Sequence, residues 1–245
     1  MRIAVLSDIH GNVFALEAAL ADVKRQGADV VVNAGDILSG PLEPAATADL
    51  LLSLGLPTIA GNHERQLLAC EAARGSASDQ FAFEHTTERH RAWVRGLPPV
   101  LEIGEEVLVC HGTPSKDFVY FLEEVGPSSG SRAAPLGLVE ERAGGVSRGL
   151  VLCGHSHKPR AAAISGGRLV VCAGSVGLQA YDDDRPYPHV HENGSPHARY
   201  VICERGRDGW SVTFRCVPYD HAEAAATARR NGREDWARWL ETGRV

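Results

Sequence analysis

The chain has 245 residues, with 25 Lys plus Arg against 31 Asp plus Glu and a formal net charge of −6. Hydrophobic residues make up 44% and charged residues 23%, which excludes a collagen-like, low-complexity or disordered chain and supplies material for a sizeable core. A net negative chain is a poor candidate for non-specific nucleic-acid binding, because that binding rests on Lys and Arg neutralising phosphates.

In chain order, short apolar runs recur and each ends on small or polar residues. Ile3-Ala4-Val5-Leu6 precedes Ser7-Asp8-Ile9-His10, Val30-Val31-Val32 precedes Asn33-Ala34-Gly35-Asp36, and Thr58-Ile59-Ala60 precedes Gly61-Asn62-His63. Further along, Val107-Leu108-Val109-Cys110 precedes His111, and Leu150-Val151-Leu152-Cys153 precedes Gly154-His155-Ser156-His157. Runs rich in Val and Ile without alternation read as strands buried on both faces. Helices are predicted between them. Val13, Leu16, Leu20 and Val23 recur at helical spacing after Asn12, a candidate N-cap, and Gly27 stops the pattern. Further helices are expected over Ala45–Leu54, Glu64–Arg74, Gln80–Arg95 and Leu136–Arg148. Hairpins are expected at 100–103 with 107–110, at 161–164 with 169–172, and at 200–204 with 210–217. Asp220 is placed to cap a helix over His221–Arg230, with a short one through Trp236–Leu240. Tyr181 to His197 reads as a long surface loop, a kind of segment that is often functional.

No Gly/Ser linker divides the chain, so one domain over 1–245 is expected. No apolar run reaches the roughly 18–20 residues of a membrane span, and the first is shorter than the ~7–15 of a secretion signal. The expected location is cytoplasmic, with no membrane partner. The six cysteines form no C-x-x-C pair, so they read as small buried hydrophobes rather than zinc ligands or disulfides.

The residues just past the apolar runs are Asp8, His10, Asp36, Asn62, His63, His111, His155 and His157. In open α/β sheets ligands bind outside the carboxyl ends of the strands, so these side chains converge on one edge. Asp8/His10 and His155/His157 are i, i+2 pairs, which on an extended segment point to one side. Imidazole with carboxylate and no thiolate suits Mn, Fe, Zn, Ni or Co better than Ca or Mg. The donor count exceeds one shell and fits two divalent ions sharing a carboxylate. Such a pair can activate water and clamp the oxygens of an in-line phosphoryl displacement. Taken singly, each motif has a bland reading as a turn, a cap or a strand–loop junction; the ordered set does not.

That ordered set, Asp8-Ile9-His10, Gly35-Asp36, Gly61-Asn62-His63-Glu64, His111-Gly112 and Gly154-His155-Ser156-His157, resembles the motifs of the calcineurin-like metallophosphoesterases. The resemblance implies an α/β fold, a four-layer α-β-β-α sandwich of two mixed sheets flanked by helices, with a dinuclear metal site at the strand ends. It implies that Asp8, His10 and His157 hold one ion, that Asn62, His111 and His155 hold the second, and that Asp36 bridges. His63 would serve as general acid, with Glu64 orienting it. Gly40-Pro41 and Gly174-Ser175-Val176-Gly177 resemble compact bacterial and archaeal phosphodiesterase-like members. After Gly35-Asp36 the chain reads Ile37-Leu38-Ser39 where serine/threonine protein phosphatases have Asp-Arg-Gly.

The implied activity is hydrolysis of a small phosphoester or nucleotide. A phosphomonoesterase or protein phosphatase is the enzymatic alternative, and an inactive metal-binding scaffold or a metal sensor the non-enzymatic one. Arg65 beside the site is a candidate phosphate contact and Asn62 a second substrate contact. Thr113 and Ser175 are hydroxyls placed to position substrate. In the 181–197 segment His189, His191, His197 and Arg185, and just past it Arg199, are candidates to meet a phosphate. His85 and His90 read as solvated, and the four tryptophans as packing.

Overall fold

The computed structural model describes residues 1–128 and 130–245. The chain begins with β1 (Arg2–Leu6), α1 (Val13–Gln26), β2 (Val30–Asn33), α2 (Pro44–Leu54), α3 (Asn62–Ala69), α4 (Ala77–Glu84) and α5 (Glu88–Arg95). The middle holds β3 (Val100–Ile103), β4 (Val107–Cys110), β5 (Glu123–Gly126), β6 (Gly130–Ala133), α6 (Leu136–Ala143) and β7 (Leu150–Cys153). It continues through β8 (Arg160–Ile164), β9 (Arg168–Cys172), β10 (Ala180–Asp183), β11 (His189–Glu192), β12 (Ala198–Gly206) and β13 (Gly209–Val217), and ends with α7 (His221–Arg230) and α8 (Glu234–Thr242).

Two mixed sheets stack face to face. One has the order β13-β12-β1-β2 and the other β3-β4-β7-β9-β8. Within these two sheets β1–β2, β4–β7 and β7–β9 pair in parallel and the other neighbouring strands pair antiparallel. Side chains alternate between faces, and both faces are apolar. Ile3 and Val5 of β1 meet Val107, Val109, Leu150 and Leu152 between the sheets. Ala4 and Leu6 point the other way, to Leu16 and Ala19 of α1 and Leu51 of α2. On the far side Leu108, Val151 and Val170 meet Val139 of α6. The result is helix, sheet, sheet, helix, which explains why these strands read as unbroken apolar runs. Five of the six cysteines are buried and free, and Cys216 is exposed.

Local chemistry accounts for most element ends. The Asn12 side chain accepts from the Ala15 amide at 3.1 Å, and Gly27 closes α1 at φ 72°. The single helix expected over Gln80–Arg95 is two. Thr87 interrupts it, because its hydroxyl accepts from the His90 amide and starts α5 afresh. His90 is buried rather than solvated, with Nε2 3.0 Å from the Asp49 carboxylate. The helix expected over Leu136–Arg148 stops at Ala143, where Gly144 takes φ 55°. Thr58-Ile59-Ala60 forms no full strand; one parallel bridge, Asn33 to Thr58, carries the chain past the end of β2. The loop expected over 181–197 contains the β10–β11 hairpin, and a second unforeseen hairpin, β5–β6, lies beside it.

Asp22 ties the outer helix to the sheet. It accepts from the buried Tyr200 hydroxyl at 2.8 Å and pairs with Arg215 at 3.0 Å and Arg25 at 2.9 Å. Burial pushes its carboxyl up, but the hydrogen bonds from Arg215, Tyr200 and Arg25 outweigh burial and hold it at about 2. A carboxylate depressed on folding stabilises the fold above its unfolded pKa of about 4, and that contribution disappears as pH falls through about 2. Asp22→Ala should cost about 2–3 kcal/mol in urea unfolding at pH 7, the range for lost hydrogen bonds to a charge. The gap to wild type should narrow as pH drops below 4; a gap independent of pH would assign the loss to packing instead.

Candidate metal centre and active site

The carboxyl ends of β1, β2, β4 and β7 meet at one edge of the stacked sheets. There Asp8, His10 and His157 bring donor atoms within 4.8 Å of one another, and Asp36, His111 and His155 do the same beside them. The two groups match the division that the motifs imply, with Asn62 at the start of α3 next to the second.

The backbone that delivers them is not the extended segment expected from the i, i+2 spacing. Asp8, His10, Asp36, His155 and His157 all have left-handed φ, between 53° and 68°, and they are the non-glycine residues that do so among the described residues. Each such residue costs on the order of 1 kcal/mol or more, a strain that gathers at functional sites. The strand-to-loop turns are also too tight for side chains. A Cβ on Gly154 would lie 2.5 Å from Asp8 Oδ2, and one on Gly61 2.2 Å from Asp36 Oδ1.

Hydrogen bonds fix which imidazole nitrogens face inward. His10 Nδ1 is 2.8 Å from the Ser39 carbonyl, His111 Nδ1 2.8 Å from that of Ala34, and His157 Nδ1 2.7 Å from that of Leu178. A carbonyl only accepts, so each Nδ1 carries the hydrogen and each Nε2 presents a lone pair. Those lone pairs converge on other acceptors. His10 Nε2 and His157 Nε2 are 3.1 Å apart, His157 Nε2 is 3.3 Å from Asp8, and His111 Nε2 is 2.9 Å from Asp36 without hydrogen-bond geometry. The Asn62 carbonyl oxygen is also buried and unpartnered. Acceptors aimed at one another in a buried site need a cation between them. At His111 burial pushes the imidazole down, but the Asp36 carboxylate outweighs it and raises it to about 10, so a proton can serve there; protons serve poorly at His10, which burial and then His157 hold down to about 3, and at His155, held to about 4 by burial and then His111. Imidazole nitrogen, carboxylate and amide oxygen are the donor chemistry of a transition-metal or zinc site, so the residues present fit divalent metal.

Glu64 does not touch His63. Its carboxylate accepts three backbone amides, Asp36 at 2.8 Å, Ile37 at 2.7 Å and Gly61 at 2.8 Å, and so fastens α3 to the β2 loop. Asp79 of α4 holds His63 instead, with Oδ1 2.7 Å from Nδ1. Asp79 is buried, and Ser76 hydrogen-bonds its other oxygen. The sequence signal was Ser76-x-x-Asp79, a helix start that looks like an ordinary cap. Burial pushes the His63 imidazole down, but the Asp36 and Asp79 carboxylates outweigh it and raise it to about 9.

Thr113 closes the turn to Lys116, and Ser175 donates to the Asp8 carbonyl and accepts from the Leu178 amide, so both hydroxyls serve backbone rather than substrate. Arg65 forms a bidentate pair with Asp117, at 2.9 to 3.0 Å. Within 181–197, His191 bonds the Ser156 carbonyl and Ser131 and His189 meets the Tyr120 hydroxyl; just past it, Arg199 donates to the Gln179 side chain and to the carbonyls of Asn193 and His197. Asn193 also donates to the His157 carbonyl. This hairpin therefore braces the His155–His157 loop. From this hairpin Tyr181, Asp182, Asp183 and Arg185 reach a cleft of about 780 Å³ that His10, Asp36, His63 and Trp236 also line.

A family model described as the calcineurin-like phosphoesterase superfamily domain matches residues 1–192. An uncharacterized protein of Methanocaldococcus jannaschii is 26% identical over 248 residues, spanning 96% of this chain and 94% of that one. The crystal structure of a metallophosphoesterase from Sphaerobacter thermophilus superposes with a TM-score of 0.75 at 23% identity, over 99% of this chain and 100% of that one. A candidate diadenosine tetraphosphatase superposes at 0.53 with 20% identity, over 87% and 93%. At these identities both structures show a shared fold. The matched residues 1–192 contain both ligand clusters, His63 and Asp79, and the chain belongs to the calcineurin-like phosphoesterase superfamily.

Proposed function

We propose that the protein is a metal-dependent hydrolase of small phosphoesters, with phosphodiesters or nucleotides as substrates. Two divalent ions (Mn, Fe, Zn, Ni or Co) would be held by Asp8, His10 and His157 on one side and Asn62, His111 and His155 on the other, with Asp36 shared. The observation that carries the reading is the convergence of His10 Nε2, His157 Nε2 and the Asp8 carboxylate on one another at 3.1 to 3.3 Å. When bound, the ions supply a nucleophile from water at neutral pH and neutralise charge on the phosphoryl oxygens. The chain's own residues do the rest. Backbone carbonyls hold the three Nδ1–H groups and so aim every Nε2 inward. Asp79 holds His63 Nδ1, which leaves Nε2 as the atom that can hand a proton to the leaving oxygen.

A scaffold or metal sensor has no use for a buried carboxylate that orients a histidine at the wall of a cleft, and this favours the enzyme. The free cysteines agree with a reducing, cytoplasmic setting, and no helix among the described residues is long and apolar enough to cross a membrane. The four stacked layers support one domain over 1–245.

The test is turnover of p-nitrophenyl phosphate and its bis ester by metal-stripped protein before and after addition of Mn or Ni. Hydrolysis should appear only with metal. Protein that binds metal to two equivalents yet hydrolyses neither ester would overturn the enzymatic reading.

A further inference from the structure

The cleft at the ligand clusters does not end there. A second cavity, of about 820 Å³, opens on its far side, and the two share Asn62, Gln66, Tyr120, His155, Asp183 and Arg185 at a common waist. Each alone has the size of a small-molecule site, within the roughly 300–1,000 Å³ usual for one. A phosphomonoester has one organic arm and needs one chamber. A phosphodiester has two, which diverge from phosphorus.

The second chamber has the lining of an aromatic binding site. Phe118 is 60% exposed, far more than an aromatic ring placed for packing, and Val125 and Leu138 add apolar wall. Three of its four acids are paired with arginines, Asp117 with Arg65, Glu123 with Arg160 and Glu124 with Arg132, and the fourth, Asp183, accepts the Arg185 backbone amide. Arg185, at the waist, has no carboxylate within ion-pair distance among the described residues, so its guanidinium is free for a phosphoryl oxygen. A pocket with most of its acids paired, an exposed aromatic face and a free cation at its mouth suits a heterocyclic base on a phosphate ester.

We infer that the Phe118 chamber holds the second ester arm of a phosphodiester, a nucleoside-like aromatic group, while the first arm lies in the His63 cleft. The inference rests on the phosphoesterase reading. It also gives the reaction a direction, because His63 lines the first chamber and not the second. The P–O bond to the first-chamber arm breaks, and that oxygen leaves with the proton from His63. The oxygen of water forms the new P–O bond and its proton replaces the one His63 gave up. The product in the second chamber is the nucleoside monophosphate.

Three esters that all release p-nitrophenol test this: p-nitrophenyl phosphate, methyl p-nitrophenyl phosphate and thymidine 5′-(p-nitrophenyl phosphate). With metal-loaded wild type, KM for the thymidine diester should lie about tenfold or more below that for the methyl diester, the scale of one base stacked on an aromatic side chain. In Phe118→Ala this ratio should collapse to within about twofold of unity. Calorimetric titration with thymidine 5′-monophosphate, which needs no turnover, should show binding weakened by about the same factor. A wild-type ratio near one, or a ratio and a monophosphate affinity both unmoved by Phe118→Ala, would overturn the chamber assignment while leaving the hydrolase intact. No release of p-nitrophenol from any of the three would remove the phosphoesterase reading and this inference with it.

Discussion

Asp36→Asn should purify as a folded protein that holds fewer than two metal equivalents and retains less than about 1% of wild-type activity. The size follows from position. Changing groups that merely orient a ligand costs roughly 10–100-fold, and in the function proposed above Asp36 is the ligand shared by both ions. Its two oxygens face different partners: Oδ1 accepts from the His63 amide at 2.9 Å, and Oδ2 sits 2.9 Å from His111 Nε2. An asparagine matches the shape and tolerates the left-handed φ of 55° that Asp36 adopts. Its amide group, however, must point hydrogens either at the His63 N–H, donor against donor, or at the His111 lone pair that a metal would use. The substitution therefore separates charge and donor chemistry from folding. Elemental analysis of the variant decides the matter: two full metal equivalents would remove Asp36 from the bridging position.

How much of this was legible beforehand depended on whether the cause lay within a few residues. The strands β1, β4, β7 and β9 announced themselves because both of their faces are covered, and such burial leaves an apolar run with no polar interruption. Asn12, Gly27 and Asp220 act on neighbours three or four residues away, so their caps could be read directly. The convergence of Asp8, His10, Asp36, His111, His155 and His157 could be read as well, because β1, β2, β4 and β7 all end at one edge. The cap at Thr87, whose hydroxyl accepts from the His90 amide three residues on, is equally local and breaks a helical pattern that reads as continuous. The rest of what stayed hidden depended on distant partners. The β10–β11 hairpin holds little apolar sequence, and its stability comes from His191, Asn193 and Lys158 bonding across to the His155–Lys158 loop and to β11. Glu64 was adjacent to His63 and drew the orienting role by proximity. On a helix, neighbours one apart point in different directions, and Asp79, sixteen residues away, has the geometry instead.

That geometry sets the second large effect. His63→Gln should keep both metals, since His63 is not among the grouped donor residues, and should lose roughly 10²–10⁴ in kcat on an alkyl ester, the usual contribution of a positioned acid. With p-nitrophenyl esters the loss should be smaller, because p-nitrophenolate departs without a proton. Equal losses on both would leave His63 a binding or electrostatic role only. Asp79→Asn completes the argument. An asparagine turned to present its carbonyl to His63 Nδ1 still holds the ring, while one turned to present its amide forces the hydrogen onto Nε2 and leaves Nδ1 as acceptor. Loss of the carboxylate also removes a charge that favours the protonated imidazole. The acid limb of the kcat–pH profile for alkyl esters should be little changed in Asp79→Asn, while the alkaline limb, where the proton donor is lost, should move to lower pH. Asp79→Ala, which deletes the partner outright, should approach His63→Gln on alkyl esters and still bind both metals. A profile that keeps its alkaline limb in both Asp79 variants would mean that the 2.7 Å contact packs α4 against α3 and has no part in proton transfer.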